Sequence, residues 1–321
     1  MKAMVLAAGF GLRMRPLTNL MAKPALPVLN RPLIAWVLDH LARHRVTDVV
    51  INLHHRPASV RRAVGDGRRF GVRVRYSRER RLLGTGGGPR RVRRFFGDEP
   101  FLLVNGDAVL GLDLTALVAR HRASGARATL ALRPNPDPRR YPPIVTDARG
   151  RIVWLPGVAR RRAGRASLFT GVHVLDPALL ERAPAGASDS VRDLYAPLVA
   201  AGERLLGVRA RGAWFDLGTP KGYLEAQLAM LASGFAGRRR RSLVARTARA
   251  GQGARIVRSV VGPGVEVGAG AVVVESILWP GVRVGARAHV RRCIVAGRGR
   301  VAAGADVRSA VVAAGTRTPL R

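Results

Sequence analysis

Apolar and polar positions follow two different rhythms along this chain. From residue 1 to about 234, short apolar runs are separated by amphipathic stretches. Positions 3–7, 48–53, 72–76, 101–104 and 128–132 have the length and composition of strands. Between the first two, positions 32–44 set Leu33, Ile34, Val37, Leu38 and Leu41 at helical spacing behind a proline, which predicts a helix. Strands alternating with helices imply an α/β unit on a mostly parallel sheet, with ligands at the carboxyl ends of its strands. Thr219 followed by Pro220 has the form of a helix start, and Gly234 of its stop. Residues 235–241 then read as a linker.

From residue 242 the helical period disappears, and small aliphatic residues recur among glycines. Set out in steps of about 17, the segment aligns with itself. Val244, Val261, Leu278, Val295 and Val312 form one column; Ala250, Val267, Val284 and Val301 form a second; Ile256, Val273, Val290 and Val307 form a third. Three hexads per turn, one shortened, predict a left-handed parallel β-helix over 242–321, with the columns inward and glycines at the corners. Ser242, Ser259, Ser276, Cys293 and Ala310 fall two places before the first column. That register makes Cys293 a packing residue rather than a reactive one. The turn around 307–312 is expected to end the stack with unpaired aliphatics, and so to favour burial against a partner or the first domain.

Composition changes this picture little. The 321 residues carry 56 Lys and Arg against 20 Asp and Glu, a net charge of +36 that would ordinarily point to nucleic acid. Only Lys2, Lys23 and Lys221 are lysine, however, and the arginines are scattered apart from Arg238 to Arg241. That skew toward one cation fits codon bias, so no specific nucleic-acid partner is expected. No long uninterrupted apolar run occurs, which argues against a membrane span. The single cysteine excludes an internal disulfide and fits a cytoplasmic location.

The chemistry lies at the first strand, in Leu6-Ala-Ala-Gly-Phe-Gly-Leu-Arg-Met-Arg-Pro-Leu-Thr18 followed by Ala22-Lys-Pro-Ala-Leu-Pro-Val28. Gly9 and Gly11 let backbone N–H groups approach a phosphate. Neither the dinucleotide G-x-G-x-x-G spacing nor a P-loop Gly-Lys-Ser/Thr is present. Arg13 and Lys23 follow the loop, and two fixed cations beside it suit a triphosphate that must lose pyrophosphate.

This segment resembles the signature of the sugar-1-phosphate nucleotidyltransferases, or NDP-sugar pyrophosphorylases. Leu83-Gly-Thr-Gly-Gly-Gly88, Asn105-Gly-Asp107, Phe169-Thr-Gly-Val-His173 and Trp214-Phe-Asp-Leu-Gly-Thr219 continue the resemblance in family order. It implies a Rossmann-like α/β nucleotidyltransferase domain over 1–234, its sheet mixed but mostly parallel, beside the left-handed β-helix. Leu6, Ala8, Gly9, Gly11, Gly84, Thr85, Gly86 and Asn105 would bind the nucleotide, and Thr170 and Gly171 would line the sugar-phosphate side. Asp107 and Asp216 would hold Mg²⁺, with Arg13, Lys23 and Asp107 catalytic. The substrates implied are an NTP and a sugar 1-phosphate, and a homo-oligomer through the β-helix is expected.

Two departures from the family pattern matter. Leu12 stands where the family has Thr or Ser, and Val153-Trp-Leu-Pro156 stands where it has Glu-Lys-Pro. Arg139, Arg140 and Arg151 are the nearby substitutes for the missing lysine. GTP with mannose 1-phosphate is the first expected pairing, on whole-chain architecture. UTP with N-acetylmuramate or hexosamine 1-phosphate is the alternative, since muramate-phosphate uridylyltransferases share Thr85-Gly-Gly-Gly88 and also lack the lysine. A non-catalytic nucleotide-sugar sensor is the rival of another class. A β-helix acyltransferase has only His289 to offer as base. Asp107 could instead end a strand in a turn, Asp216 could cap the helix at Thr219, and His173 could touch substrate or simply pack.

Overall fold

The computed structural model describes residues 1–160, 162–235, 237, 239–313 and 315–320; positions 236 and 238 of the expected linker, Arg238 among them, lie outside it. The chain packs as two compact units that cut across the sequence boundary at 235–241. One is Met1–Gly9 with Ile34–Trp214; the other is Phe10–Leu33 with Phe215–Arg321.

The first unit is a nine-stranded mixed sheet among the described residues. Lys2–Leu6 lies between Asp48–Leu53 and Phe101–Asn105, parallel to both, and Arg73–Arg78 extends the sheet beyond Asp48–Leu53. Arg165–Leu175 joins antiparallel to Phe101–Asn105 and to Ala128–Arg133. The central strands are buried nearly end to end, which is why they read as unbroken apolar runs. The Arg73–Arg78 strand lies at the sheet's edge, and there arginines alternate with less exposed positions. Phe96 stacks on Phe101 with ring centroids 3.6 Å apart, in a core that also holds Met4, Leu103 and Leu130. The predicted helix at 32–44 is Leu33–Arg43. The chain runs out from Lys2–Leu6 on one side and returns to Phe101–Asn105 on the other. The ends of these two strands are therefore the topological switch point, where open α/β sheets bind ligands.

The second unit contains the β-helix, whose strands pair in register at a spacing of 17: Val261 with Leu278, Val267 with Val284, Val273 with Val290. Glycine does not serve every corner. Left-handed backbone falls on Gly253, Gly270, Arg287 and Gly304 at one corner, but on Arg258, Glu275, Arg292 and Ser309 at another. There the charges stack as an Arg–Glu–Arg ladder with separations of 2.9 and 3.3 Å. Gly268 and Gly285 instead permit close approach between turns, since a Cβ on either would lie 2.4 Å from backbone nitrogen of the next turn.

The exposed rung is not the expected one. The strand Thr316–Pro319 folds back antiparallel on Ala310–Ala313, and Val307 and Val311 are buried. The first turn is the open one, where Val244 is 45% exposed and Ala250 is exposed too. The helix Pro220–Ser233 follows the predicted punctuation: Thr219 Oγ accepts the Gly222 N–H at 3.1 Å, and Gly234 ends the helix at φ 74°.

Candidate active site

In the first unit, Leu6 stands opposite Asn105 in the parallel ladder, and the Gly106 N–H donates to Leu6 O at 2.9 Å. A Cβ on Gly106 would lie 2.7 Å from that oxygen, so the Asn105-Gly106-Asp107 turn needs glycine to hug the first strand. Gly9 is different. A Cβ there meets nothing within 4 Å, and its backbone is not left-handed, so neither packing nor conformation demands glycine. Gly171 has φ 80°, and its Cβ position lies 2.6 Å from Asn105 Nδ2, which brings the strand Arg165–Leu175 against the Asn105 turn. Thr170 Oγ donates to Ala131 O at 2.9 Å, and its own carbonyl accepts the Trp214 indole N–H at 3.2 Å.

The loop at 84–88 opens the helix Gly84–Arg91. Its glycines answer to packing: Cβ atoms on Gly84, Gly86 and Gly87 would fall 2.4, 2.7 and 2.0 Å from atoms of residues 186–188. Thr85 Oγ donates to Asp189 at 3.1 Å and accepts the Ser190 N–H at 2.7 Å. That hydroxyl is committed within the protein.

Two residues that sequence reasoning missed join these loops. Asn52 Oδ1 accepts the Ala7 N–H at 2.7 Å, and Asn52 Nδ2 donates to Glu79 Oε1 at 2.8 Å. Glu79 Oε2 then accepts the Leu83 N–H at 2.9 Å. Both side chains are 2% exposed, so the network ties the first loop to the second through a dry interior. The signal available in the sequence was two polar residues at the ends of apolar strands.

The second unit holds Gly11, Arg13, Lys23 and Asp216. Gly11 takes φ 62°, its Cβ position 2.8 Å from Thr18 and 3.4 Å from Lys23. Thr18 Oγ donates to Gly11 O at 3.0 Å, closing the loop on itself. Lys23 is 6% exposed, whereas Leu12 is 58% exposed. Asp216 does not cap the helix at Thr219; its Oδ1 accepts the Gly218 N–H at 2.8 Å. Arg13 Nη2 lies 3.4 Å from the Cβ position of the same Gly218, so Arg13 and Asp216 are neighbours.

His173 packs. It is 1% exposed, its Nδ1 is 2.5 Å from the Tyr195 hydroxyl, and burial pushes its pKa down to about 3. Of the three arginines expected near the sugar phosphate, Arg151 is committed to the Gly202 carbonyl. Arg140 covers the Tyr141 ring at 5.1 Å, and that ring meets Trp214 edge-on at 5.8 Å. Among the described residues no group of three or more His, Cys, Asp or Glu gathers as a metal cage. Nor is any helix long and apolar enough to cross a membrane.

A glycine loop and an Asn-Gly-Asp turn follow adjacent parallel strands of an α/β sheet, the position at which such sheets bind ligands. A profile of the nucleotidyl transferase family matches residues 2–233, and one of the GlmU-like C-terminal hexapeptide matches 225–315. The chain belongs to the nucleotidyl transferase family. It is 38% identical over 237 residues to an N-acetylmuramate alpha-1-phosphate uridylyltransferase of Neisseria meningitidis, covering 71% of this chain and 97% of that protein. It is 33% identical to a UTP–glucose-1-phosphate uridylyltransferase of Synechocystis and 31% identical to a mannose-1-phosphate guanylyltransferase of Mycobacterium tuberculosis, each match covering 70% of this chain. The chain spans about 62% of the length of these last two relatives. A Bacillus anthracis crystal structure described as a glucose-1-phosphate thymidylyltransferase shares the fold at a TM-score of 0.62 and 22% identity, covering 71% of this chain and 94% of that one.

Proposed function

We propose that this protein transfers a nucleotidyl group from a nucleoside triphosphate to a sugar 1-phosphate and releases pyrophosphate. One observation carries the reading: Gly9, which the fold itself does not require to be glycine, follows the first strand, whose neighbour Phe101–Asn105 leads into Gly106-Asp107. An unshielded backbone at a switch point suits a polyphosphate. The sugar-phosphate oxygen attacks the α-phosphorus in line, the bond to the bridging oxygen breaks, and pyrophosphate leaves. Arg13 holds the leaving phosphates, and Lys23 opposes the charge that grows on the transferring group. Leu6, Ala8, Gly11, Gly84, Thr85, Gly86 and Asn105 seat the nucleotide; Thr170 and Gly171 bound the sugar phosphate. No covalent nucleophile is needed, because positioning and electrostatics suffice.

Asp107 and Asp216 would hold Mg²⁺, which neutralises triphosphate charge when bound. Two hard carboxylates fit an ion that completes its shell with phosphate oxygens and water. The Gly218 N–H at 2.8 Å from Asp216 orients one of them. The hexapeptide match supports self-association through the β-helix, to be read from sedimentation of the full chain. The lone buried thiol supports a cytoplasmic setting.

GTP with mannose 1-phosphate is the first reading of the substrates, on the pairing of a nucleotidyl transferase match with a hexapeptide match. UTP with N-acetylmuramate 1-phosphate is the second, favoured by the 38% identity to a uridylyltransferase of that substrate. The deciding experiment is pyrophosphate release across a matrix of the common NTPs and several sugar 1-phosphates. One productive pair fixes the substrates. Nucleotide binding without turnover for every pair would make the protein a sensor and overturn the reading.

A further inference from the structure

The loop that carries Arg13 and Lys23 is fastened to the β-helix and to the helix Pro220–Ser233. Four residues after Lys23 the chain makes a hairpin, Pro27 pairing with Pro32 and Val28 with Arg31. Its two turn residues, Leu29 and Asn30, both take left-handed backbone at φ 48° and 62°. Such a turn suits a two-residue hairpin, but a leucine holds that conformation only where its surroundings insist.

The surroundings are polar and dry. Gln227 Oε1 accepts the Leu29 N–H at 2.8 Å, and the Tyr223 hydroxyl donates to Pro27 O. Asn30 Nδ2 reaches into the β-helix and donates to Val261 O at 2.9 Å. Trp279, two turns into the stack, donates its indole N–H to the Tyr223 oxygen at 3.1 Å. Tyr223 and Gln227 are 0% exposed and Trp279 is 2% exposed. An indole nitrogen can only donate, so the phenol oxygen must accept from it and aim its own proton at Pro27. Trp279, Tyr223 and Pro27 are therefore joined by bonds that run from the β-helix to the turn, while Leu29 and Asn30 donate back to the helix and to the β-helix. Leu20 adds an apolar anchor, with Cδ1 2.7 Å from the Cβ position of Gly297.

We propose that Trp279, Tyr223 and Gln227 are positioning residues of the transfer reaction, and that the β-helix sets the placement of Lys23 and Arg13. The proposal rests on the reaction class above. It departs from the sequence expectation that the β-helix serves assembly or domain packing and has no part in the chemistry.

The test uses the full chain with Trp279→Phe and Tyr223→Phe, which keep the rings and remove the donors. Hydrogen–deuterium exchange should rise in residues 11–26 of each variant and stay unchanged in residues 84–91. With the productive substrate pair, kcat should fall roughly tenfold while the NTP KM moves less than about twofold. In a Lys23→Ala background, Trp279→Phe should cost less than about twofold, because the residue it positions is gone. Asn30→Ala, on a half-buried side chain, should raise the same exchange if either ring variant fails to fold. Unchanged exchange in residues 11–26, or full additivity with Lys23→Ala, overturns the proposal. Absence of turnover by the parent protein with every pair overturns the reaction class instead, and the exchange result then decides the positioning claim by itself.

Discussion

The two packed units satisfy their buried polar groups in opposite ways. In the first, Ala7, Asn52, Glu79 and Leu83 form one network that occurs once and joins two loops. In the β-helix of the second, apart from the Trp279–Tyr223 contact, the same need is met by repetition. The Ser259 N–H donates to Ser242 Oγ at 3.3 Å, the Ser276 N–H to Ser259 Oγ at 3.1 Å, and the Cys293 N–H to Ser276 Oγ at 3.0 Å. A network made once fails when any member fails, whereas a ladder fails by rungs. The unit that supplies Asp107 should therefore be sensitive to single buried changes, and the repeat should be tolerant of them.

The largest expected effect addresses whether both units serve one step. Asp107→Asn and Asp216→Asn lie one in each unit, and each should lower turnover by at least roughly a hundredfold with the fold intact. EDTA should stop the parent enzyme. Full activity of either variant would confine the metal chemistry to the other unit.

Next comes the buried network. Glu79→Ala strands the Asn52 amide and the Leu83 N–H, and should lower the unfolding free energy by roughly 2–3 kcal/mol in chemical denaturation. Ser276→Ala in the ladder should cost less. Equal losses would erase the distinction between the two units.

How much of this was legible in the sequence depends on what kind of signal each part leaves. The β-helix declared itself because each aliphatic column recurs at 17, and Thr219, Pro220 and Gly234 bracketed their helix because capping is local. Gly9, Gly11, Arg13 and Lys23 stood out as a cluster within one segment. Asn52 and Glu79 did not, since a polar residue at a strand end has many uses and only the tertiary pairing selects one. The packing of 10–33 with the second unit's helix and β-helix was equally hidden, because Tyr223, Gln227 and Val261 meet that hairpin across some 200 residues of chain. The covered last turn was missed for a local reason: 316–319 carries no apolar alternation, yet its backbone pairs antiparallel with Ala310–Ala313.

His173 probes the interior of the first unit by pH. Its folded pKa of about 3 lies below the unfolded value of 6.5, so unfolding takes up a proton between those limits. Stability is whole above pH 6.5 and falls as pH drops toward 3, by at most about 1.4 kcal/mol per pH unit for this one group. His40, pushed down to about 4 by burial, acts in the same direction. His173→Gln should flatten the fall in Tm between pH 6 and 4, and an unchanged slope would mean that the titrating groups lie elsewhere.

Two neighbouring glycines separate the needs of fold and function more finely. Gly11→Ala forces a Cβ onto Thr18 in left-handed backbone and should cost about 1–2 kcal/mol. Gly9→Ala meets open space, so stability should hold within about 0.5 kcal/mol while the NTP KM rises. A loss of stability in Gly9→Ala would turn that glycine into a structural one.

The smallest expected effect concerns the rung of the ladder where cysteine stands in place of serine. Cys293 Sγ lies 3.1 Å from Arg291 O and 3.3 Å from Val307 O, the places that Ser276 Oγ takes against Val274 O and Val290 O at 2.7 and 3.4 Å. The Ala310 backbone bonds to this sulfur, and burial pushes the thiol pKa up, so it remains a protonated packing group. Cys293→Ser restores the repeat's own residue and should shift the unfolding free energy by no more than about 0.5 kcal/mol. Cys293→Val puts a somewhat larger apolar group in the column and leaves the Ala310 N–H without an acceptor, and should cost roughly 1–3 kcal/mol. If valine proves as good as serine at this rung, the column is held by packing alone, and the contrast between a repeated ladder and a single network rests on shape rather than on hydrogen bonds.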